Sequence, residues 1–376
     1  MTTSPFMQQT PERTELAGAI RRLLDQHVSS RSEDDTGSAD GFDRRIWQLL
    51  AESIGVPAMA IPEDVGGVGF GFSDLLPVFE EAGRVLYGSP LLSSVGLATP
   101  LIRLAADAGT ATRLLPDLAS GASTAAVAWL ENPTDRSSRG VHARIAGSKQ
   151  FALSGHTTHV IDGYSADILL VLARLGEQTA IFVVEGTAPG LLRSPMDTID
   201  HSRSQASLTF DVVPAVLLGE AQGGMEALGR AQDYAALALA AESTGAARRC
   251  LESAVEYAKS RRQFGQPIGA FQAVKHRCAE MWASVETAAA LVGEASRALE
   301  THGVPSPLDT THALIAAVDA LDFCAQESMR VHGGISFTWE HSAHRYYRRA
   351  RSVQTLLGPM SRHRERLTAL SGIRPN

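Results

Sequence analysis

One acidic side chain stands out because the residues around it are small and apolar. Glu242 lies in the segment LALAAESTGAARR, residues 237–249. On a helix, the positions three and four residues away carry only Leu, Ala or Gly, so no basic residue is placed to pair with it locally. A buried carboxyl group without a partner has a raised pKa, and such groups are common where protons are transferred. We therefore expect Glu242 to accept a proton. The alternative is a structural contact with water, a serine or an arginine of another helix.

Two other segments place cationic and aromatic side chains beside glycine turns. Residues 260–276, SRRQFGQPIGAFQAVKH, join two helical patterns through a short turn rich in glycine and proline. Guanidinium groups and an aromatic ring at such a corner suit a pyrophosphate and a flat heterocycle. The alternative is an ordinary capped turn. Residues 330–341, RVHGGISFTWEH, contain paired glycines that allow a backbone to approach a ligand closely, although alone they also fit a helix end.

A third glycine-rich segment, GGVGFG at residues 66–71, resembles half of a dinucleotide-binding fingerprint. That fingerprint requires a strand before it and a helix after it. Here it follows Pro62 and Glu63 in a connection, so we predict a turn.

Composition limits the class of protein. The chain has 376 residues, of which 44% are hydrophobic and 20% charged, as in soluble globular proteins of two or three domains. Its net charge of −7 is spread along the chain and does not favour nucleic acid as a partner. Three widely spaced cysteines predict reduced thiols in a cytoplasmic protein. We found no signal-peptide pattern, no apolar run long enough for a membrane span and no metal-ligand set, so His156, His159 and His332 are expected to be structural or polar contacts.

The patterning changes twice along the chain and predicts an α+β fold. Residues 1–120 alternate amphipathic helical patterns with turns and predict an all-helical domain. Residues 121–219 consist of short alternating segments divided by Gly, Asp and Pro, which predict an antiparallel barrel or sandwich. Residues 220–376 are helical again, with one long helix first, and predict a four-helix bundle.

These segments together resemble the acyl-CoA dehydrogenase family. SRRQFGQPIGAFQAVKHRCAEM and RVHGGISFTWEHSAHRYYRRA are similar to its two C-terminal signatures, and IPEDVGGVGFG is similar to an N-terminal segment. The resemblance covers almost the whole chain and has the same domain order. It implies FAD as cofactor, an acyl-CoA substrate, α,β-dehydrogenation and electron-transfer flavoprotein as electron acceptor. It also implies a tetramer in which FAD lies across a subunit interface.

The resemblance also assigns roles to individual residues. Asp233 matches an acidic residue near the bound thioester, and Arg330 stands where the family usually has glutamine. The residues that match contacts to FAD are Arg261, Gln263, Phe264, Phe271, Gln272, Arg330, Gly333 and Gly334.

Several positions depart from the family pattern. In the middle domain, Leu130 falls nearest the family's flavin-contacting threonine. His159 and Ile161 fall where an aromatic and a hydroxyl residue commonly contact the isoalloxazine ring. Flavin contacts from this domain are therefore not expected to follow the family.

The proton acceptor is also displaced. Leu357 occupies the position of the family's C-terminal glutamate, and Ala235 occupies the alternative position on the long helix. Glu242 lies seven residues, or about two helical turns, beyond Ala235 and on nearly the same face, so we predict a relocated base. Small residues nearby (Ala235, Ala238 and Gly245) suggest room for a bulky acyl group such as a steroid side chain.

The resulting hypothesis is an FAD-dependent acyl-CoA dehydrogenase. Glu242 would remove the α-proton of the thioester while a hydride leaves the β-carbon for the flavin. Such a base needs a raised pKa and a site that excludes water. Two alternatives remain. The chain is a non-catalytic partner that completes the FAD site of a related chain in a heterotetramer, or it is a flavin oxidase or monooxygenase on the same fold.

Overall fold

The computed structural model describes residues 10–28, 41–129, 140–147 and 150–372. Leu130, which matches a flavin-contacting position of the family, lies outside these residues.

The first helices begin and end where local sequence signals place them. Thr10 caps α1 by accepting a hydrogen bond from the backbone N–H of Arg13. Asp43 caps α2, which ends at Gly55 with φ 80°. The helical pattern of SSVGLATPLIRLAA, residues 93–106, divides into a π-helix, Leu91–Ala98, and α4. The helices of this part are α1 Pro11–His27, α2 Arg44–Ile54, α3 Leu76–Arg84, α4 Thr99–Ala105 and α5 Ala108–Ala119.

Within the described residues, seven strands form one sheet, and five of them close into a small barrel. Hydrogen-bonded neighbours follow the order β4-β2-β3-β7-β5 and return to β4, while β1 pairs with β4 and β6 with β7. Most pairings are antiparallel, as predicted, but β1 and β2 pair parallel to β4, and Ala125 of β1 lies opposite Ile168. The barrel core is apolar and centres on Leu153, Phe182 and Leu208. The strands are β1 Ala125–Ala128, β2 Val141–Gly147, β3 Gln150–Ile161, β4 Ile168–Leu175, β5 Gln178–Glu185, β6 Leu191–Pro195 and β7 Gln205–Leu217.

The last part of the chain is helical, as expected. It opens with α6, a single helix of 37 residues, and a two-stranded hairpin follows. Helix α7 packs on α8, and α9 and α10 also pack on α8. Cys250, Cys278 and Cys324 are free thiols, in agreement with their spacing. The elements are α6 Gly224–Ser260, β8 Arg262–Gln263, β9 Gln266–Pro267, α7 Gln272–His302, α8 Pro307–His332, α9 Ala343–Val353 and α10 Met360–Leu370.

The described residues cluster into two compact units. The first contains residues 10–28, 76–87 and 236–372, and the second contains residues 41–75 and 88–235. The order of helices, strands and helices is that of the predicted α+β fold. The division at residues 120 and 219 into three domains stays a prediction.

Within the first unit, α3 and α6 cross at backbone contact. A Cβ atom added to Gly83 would lie 1.9 Å from the carbonyl oxygen of Glu242. One added to Gly245 would lie 1.9 Å from the carbonyl oxygen of Glu80. The expectation that Gly245 leaves room for an acyl group is therefore wrong, since the backbone of α3 occupies that space.

Candidate cofactor site and active site

The first predicted cofactor segment forms an exposed corner between α6 and α7. Strands β8 and β9 pair with Gln263 opposite Gln266, so Phe264 and Gly265 form a two-residue turn. Both have positive φ, 52° and 79°, as type I′ hairpin turns require. This backbone conformation is costly for a phenylalanine, and its ring is 91% exposed. An aromatic ring held in this way is typical of a contact surface.

Helix α7 begins at this corner without a side-chain cap. Phe271 occupies the N-cap position but makes no capping hydrogen bond, so no side chain of the cap satisfies the first backbone N–H groups of α7. The rings of Phe264 and Phe271 meet edge to face with centroids 6.1 Å apart. Arg261, Gln263 and Gln272 are exposed around them. The corner therefore combines aromatic rings, cationic side chains and backbone donors.

The second predicted cofactor segment lies at the end of α8. Gly333 has φ 69°, and a Cβ added to Gly333 or Gly334 would meet nothing within 4 Å. The side chains of Phe337 and Trp339 are exposed just beyond this turn. Arg330 is also exposed and pairs with the buried Glu327.

The structure brings these two segments together. Tyr257, near the end of α6, contacts His332 at the end of α8 with ring centroids 4.6 Å apart. Arg277, near the start of α7, pairs with Glu327 on α8, which also pairs with Arg330. The ends of α6 and α8 and the start of α7 thus form one surface, with the predicted FAD contacts exposed on it or at its edge.

This surface has the chemistry that FAD requires. Backbone N–H groups at a helix start without a side-chain cap and nearby guanidinium groups suit a pyrophosphate. The open space above Gly333 and Gly334 allows close approach, and the exposed rings suit a planar group. The residues present therefore fit the cofactor, and their roles as FAD contacts remain predictions.

The barrel residues that match the isoalloxazine contacts do not follow the family pattern. His159 is exposed with φ 59°, and its Nδ1 lies 3.0 Å from Thr158 Oγ1. Ile161 is 2% exposed, so its side chain belongs to the interior. The next residue, Asp162, accepts a hydrogen bond from Ser93 of the π-helix at 2.6 Å.

Asp233, the predicted thioester contact, lies on α6 and is 3% exposed. Its neighbour Tyr234 packs edge to face on Phe72 with centroids 4.9 Å apart. Burial raises the pKa of the Tyr234 hydroxyl. Asp233 stays a predicted substrate contact.

Glu242 has an oppositely charged partner, so the prediction of an unpaired acid is wrong. Arg349 of α9 donates through Nη1 to Glu242 Oε1, and the two residues are 1% and 5% exposed. The partner was missed because it lies 107 positions away along the chain. A sequence signal was present, since Arg349 falls on the buried face of α9, which it shares with Ala343, Tyr346, Ala350 and Val353. A buried arginine requires an acid, and Glu242 is that acid.

The pair belongs to a larger set of ionic contacts in the first unit. Arg248 on α6 bonds to Glu80 on α3 at 3.2 Å and to Glu286 on α7 at 3.0 Å. Arg84 bonds to Glu252 at 2.6 Å. Burial raises the pKa of Glu80, an effect that Arg248 partly opposes. These pairs join α3, α6, α7 and α9, and sequence analysis identified none of them.

The segment GGVGFG is a turn, as expected. Its backbone bonds back to residues 58–61, for example from Gly69 N to Ile61 O at 2.8 Å. Within the described ranges, no set of three or more His, Cys, Asp or Glu side chains could hold a metal ion. No helix in that part of the chain is both long and apolar enough to cross a bilayer.

A groove of the second unit lies elsewhere. It has a volume of about 1120 Å³ and lies between the start of α5 and strands β5 and β7. None of the predicted site residues lines it.

Comparison with family models identifies both helical parts of the chain. Residues 10–122 match the model of the acyl-CoA dehydrogenase N-terminal domain, and residues 222–370 match that of the C-terminal domain. Among curated proteins, acyl-CoA dehydrogenase IpdE2 of Mycobacterium tuberculosis is 34% identical over 352 residues, covering 93% of this chain and 94% of its own.

Solved structures agree with this assignment. A variant of the Tcur3481–Tcur3483 steroid ACAD is 30% identical with a TM-score of 0.85, covering 96% of this chain and 98% of its own. The ChsE4–ChsE5 complex from Mycobacterium tuberculosis is 25% identical with a TM-score of 0.85, covering 98% of this chain and 100% of its own. Together with the two family models, these likenesses show that the chain belongs to the acyl-CoA dehydrogenase family of flavin-dependent oxidoreductases, whose cofactor is FAD.

Proposed function

We propose that the chain is one of two non-identical subunits of an acyl-CoA dehydrogenase that introduces an α,β double bond into a bulky acyl-CoA. In this proposal the chain supplies the exposed corner to a shared FAD site, and a related chain supplies the carboxylate that removes the α-proton. The observation that carries the proposal is the buried pair between Glu242 and Arg349.

The ion pair matters because it occupies the acid that sequence analysis favoured as base. A carboxylate hydrogen-bonded to a buried guanidinium is already engaged in a structural contact, so it is not presented to a substrate. The two positions where the family places its base carry Ala235 and Leu357, neither of which can accept a proton. The chain therefore has no free carboxylate at either position.

The FAD of a neighbouring subunit would be held by the exposed corner and the glycine turn. The residues concerned are Arg261, Gln263, Phe264, Phe271, Gln272, Arg330, Gly333 and Gly334. When bound, FAD accepts the hydride that leaves the β-carbon of the thioester. The chain's own contribution is to bind and orient the cofactor through the α7 start and the turn after α8. Asp233 would contact the thioester.

The relatives support the substrate class and the mixed assembly. One similar solved structure is a steroid ACAD with two named components, Tcur3481 and Tcur3483, and another is a complex of ChsE4 with ChsE5. A steroid-type acyl-CoA is accordingly the proposed substrate here. The proposed electron acceptor is electron-transfer flavoprotein, and the proposed location is the cytoplasm.

A second candidate keeps Glu242 as the base of a single-chain enzyme. Its support is burial, because Glu242 is 5% exposed and a base of this kind needs a dry site. It requires Arg349 to release the carboxylate when substrate binds.

Expression of the chain alone and with a related acyl-CoA dehydrogenase chain distinguishes these candidates. Each preparation is tested for flavin absorbance and for bleaching of the flavin on anaerobic addition of steroid-type acyl-CoA and butyryl-CoA. We expect bleaching only in the mixed assembly and with the bulky substrate. A homo-oligomer of this chain that is yellow and is bleached by acyl-CoA would refute the partner role.

Variants of the ion pair provide a second test. If Glu242 is structural, Glu242→Gln in the mixed assembly lowers stability but leaves kcat within about threefold of wild type, as expected of a residue outside the chemistry. If Glu242 is the base, kcat falls by ~10²–10⁴-fold. Glu365→Gln on the exposed face of α10 is the matched control.

A further inference from the structure

Three imidazole rings cluster beside the turn that carries Gly333 and Gly334. His332, the last residue of α8, contacts the ring of Tyr257 at 4.6 Å and the ring of His341 at 4.3 Å. The interplanar angles are 37° and 50°, so the rings are tilted on one another. His344 follows in α9 and meets Trp339 edge to face at 5.1 Å. From the sequence, His332 is expected only to make a structural or polar contact.

Hydrogen bonds fix the tautomer of the central ring. His332 Nδ1 lies 2.7 Å from the carbonyl oxygen of Ser328, which can only accept, so Nδ1 carries the proton. Nε2 lies 3.3 Å from the Ser253 hydroxyl, which donates to it when the ring is neutral. His341 Nδ1 accepts from the backbone N–H of Ala343 at 3.1 Å. Both rings are therefore placed as neutral imidazoles.

The surroundings disfavour a positive charge in this cluster. Burial lowers the pKa of His332, although the bond to Ser328 opposes this. Burial also lowers the pKa of His341, and the charges of His332 and His344 lower it further. Each added proton thus makes the next one more costly.

The charged and titratable groups around the cluster come from α6, α8, α9 and the segment between α8 and α9. Helix α6 contributes Tyr257, whose ring packs on that of His332. Helix α8 contributes Glu327 and Arg330, which pair with each other. The segment after α8 contributes His341, and α9 contributes His344 and Arg348, whose guanidinium lies over the Trp339 ring at 4.7 Å. Histidines are therefore the groups of the cluster that change charge between about pH 5 and 8.

The cluster is coupled to the glycine turn by covalent and hydrogen bonds. His332 directly precedes Gly333, whose φ is 69°. Ser336, which is fully buried, donates to the carbonyl oxygens of Gly333 at 2.6 Å and Met329 at 3.1 Å. The position of the His332 ring therefore helps to set where the backbone of the turn lies.

We propose that His332 is a positioning residue for the cofactor, which holds the Gly333–Gly334 turn in its binding conformation only while the imidazole cluster is neutral. Protonation places a buried charge against a second imidazole and loosens the turn, so cofactor affinity falls in mild acid. This inference rests on the proposed role of Gly333 and Gly334 as FAD contacts.

The test measures FAD affinity and local backbone protection across pH. The Kd for FAD is measured by flavin fluorescence in the mixed assembly between about pH 5 and 8. Hydrogen–deuterium exchange of the peptide covering residues 328–345 is followed over the same range without FAD, corrected for intrinsic exchange. For wild type we expect affinity to fall by up to about tenfold for each pH unit below the imidazole pKa, with a parallel loss of protection. An unchanged Kd and unchanged protection would overturn the proposal.

His332→Asn separates positioning by the neutral ring from simple packing. Its amide can still donate to the Ser328 carbonyl, but it has no ring and does not titrate. We expect weaker FAD binding at neutral pH and a flatter pH profile than that of wild type, since the central imidazole of the cluster is gone. The matched control, His312→Asn, changes an exposed histidine of the same helix and should keep the wild-type profile. A His332→Asn profile as steep as wild type would contradict the proposal.

The two readouts keep this inference distinct from the proposed function. If no FAD binds at any pH, the cofactor role of the corner fails, while the exchange profile still tests the cluster. If FAD binds but the exchange of residues 328–345 is independent of pH, the cofactor role survives and the role of His332 fails. The exchange measurement on wild type needs no variant, so a folding defect in His332→Asn does not remove the test.

Discussion

The buried middle of α6 and the exposed corner after it differ in how their polar groups are satisfied. In the middle, Glu242 and Arg248 have partners on α9, α3 and α7. At the corner, Phe264 has positive φ and is exposed, and Phe271 leaves the start of α7 without a side-chain cap. In this chain, the acid within an apolar segment belongs to a structural ion pair. The strained and exposed groups of the corner instead have the character of a binding surface.

The strongest test of this contrast is removal of one member of the buried pair. Arg349→Met leaves the Glu242 carboxylate buried without its partner, and we expect a loss of ~3–5 kcal/mol in the free energy of unfolding. Chemical denaturation measures the change. The double variant Glu242→Met with Arg349→Met should recover most of the loss, because both charges are then gone. Failure to recover would indicate that the pair is not a closed structural unit.

The helix crossing beneath Glu242 is expected to be almost as sensitive. Gly83→Ala places a methyl group 1.9 Å from a carbonyl oxygen of α6, so the helices must separate at a cost of ~1–3 kcal/mol. Thermal unfolding measures this loss. Gly229→Ala, in the same long helix but with open space at its Cβ position, is the matched control. That control should be neutral or stabilising by about 0.5–1 kcal/mol, since alanine favours helices.

At the exposed corner, truncation of a side chain should weaken FAD binding and leave the free energy of unfolding nearly unchanged. Phe264→Ala removes a ring that is 91% exposed and relieves a positive φ only slightly, so stability should change by less than about 0.5 kcal/mol. FAD affinity should fall by a factor corresponding to ~0.5–1.5 kcal/mol, the range for an aromatic contact. Fluorescence titration measures it. Leu192→Ala, an exposed apolar truncation on β6, should leave FAD affinity unchanged.

The smallest expected effect concerns the pH dependence of the buried ionic set. The pKa of Glu80 is raised by burial, so its contribution to stability is fully present below its unfolded value near 4.5 and is lost as pH rises through the folded value. In wild type, the free energy of unfolding should therefore fall above about pH 4.5 by a fraction of ~1.4 kcal/mol per pH unit. In Glu80→Gln this fall should be smaller. Denaturation at several pH values measures the slope. An unchanged slope would mean that Arg248 keeps Glu80 ionised throughout.

Local signals in the sequence were sufficient for much of the fold. Thr10 and Asp43 cap α1 and α2, and Gly55 ends α2, so these helix ends depend on neighbouring residues alone. The absence of proline over more than thirty residues correctly indicated the single helix α6. The parallel pairing of β1 with β4 was missed, because alternation shows which side chains face inward but not which strand lies alongside.

The candidate site was predictable only where it is local. The corner and the glycine turn each lie within about a dozen consecutive residues, and their side chains are exposed as a contact surface requires. The environment of Glu242 depends on Arg349, which is brought to it by the packing of α9 and not by helical spacing. The contacts of His332 likewise come from α6 and from the segment after α8.

The glycine crossing of α3 and α6 also constrains recombination between related chains. The contact joins the main chain of residue 83 to that of residue 242, and the main chain of residue 245 to that of residue 80. A chimeric chain that takes α3 from one relative and α6 from another should therefore keep this contact when both relatives carry glycine at positions 83 and 245. A parent that lacks either glycine must donate both helices as one block.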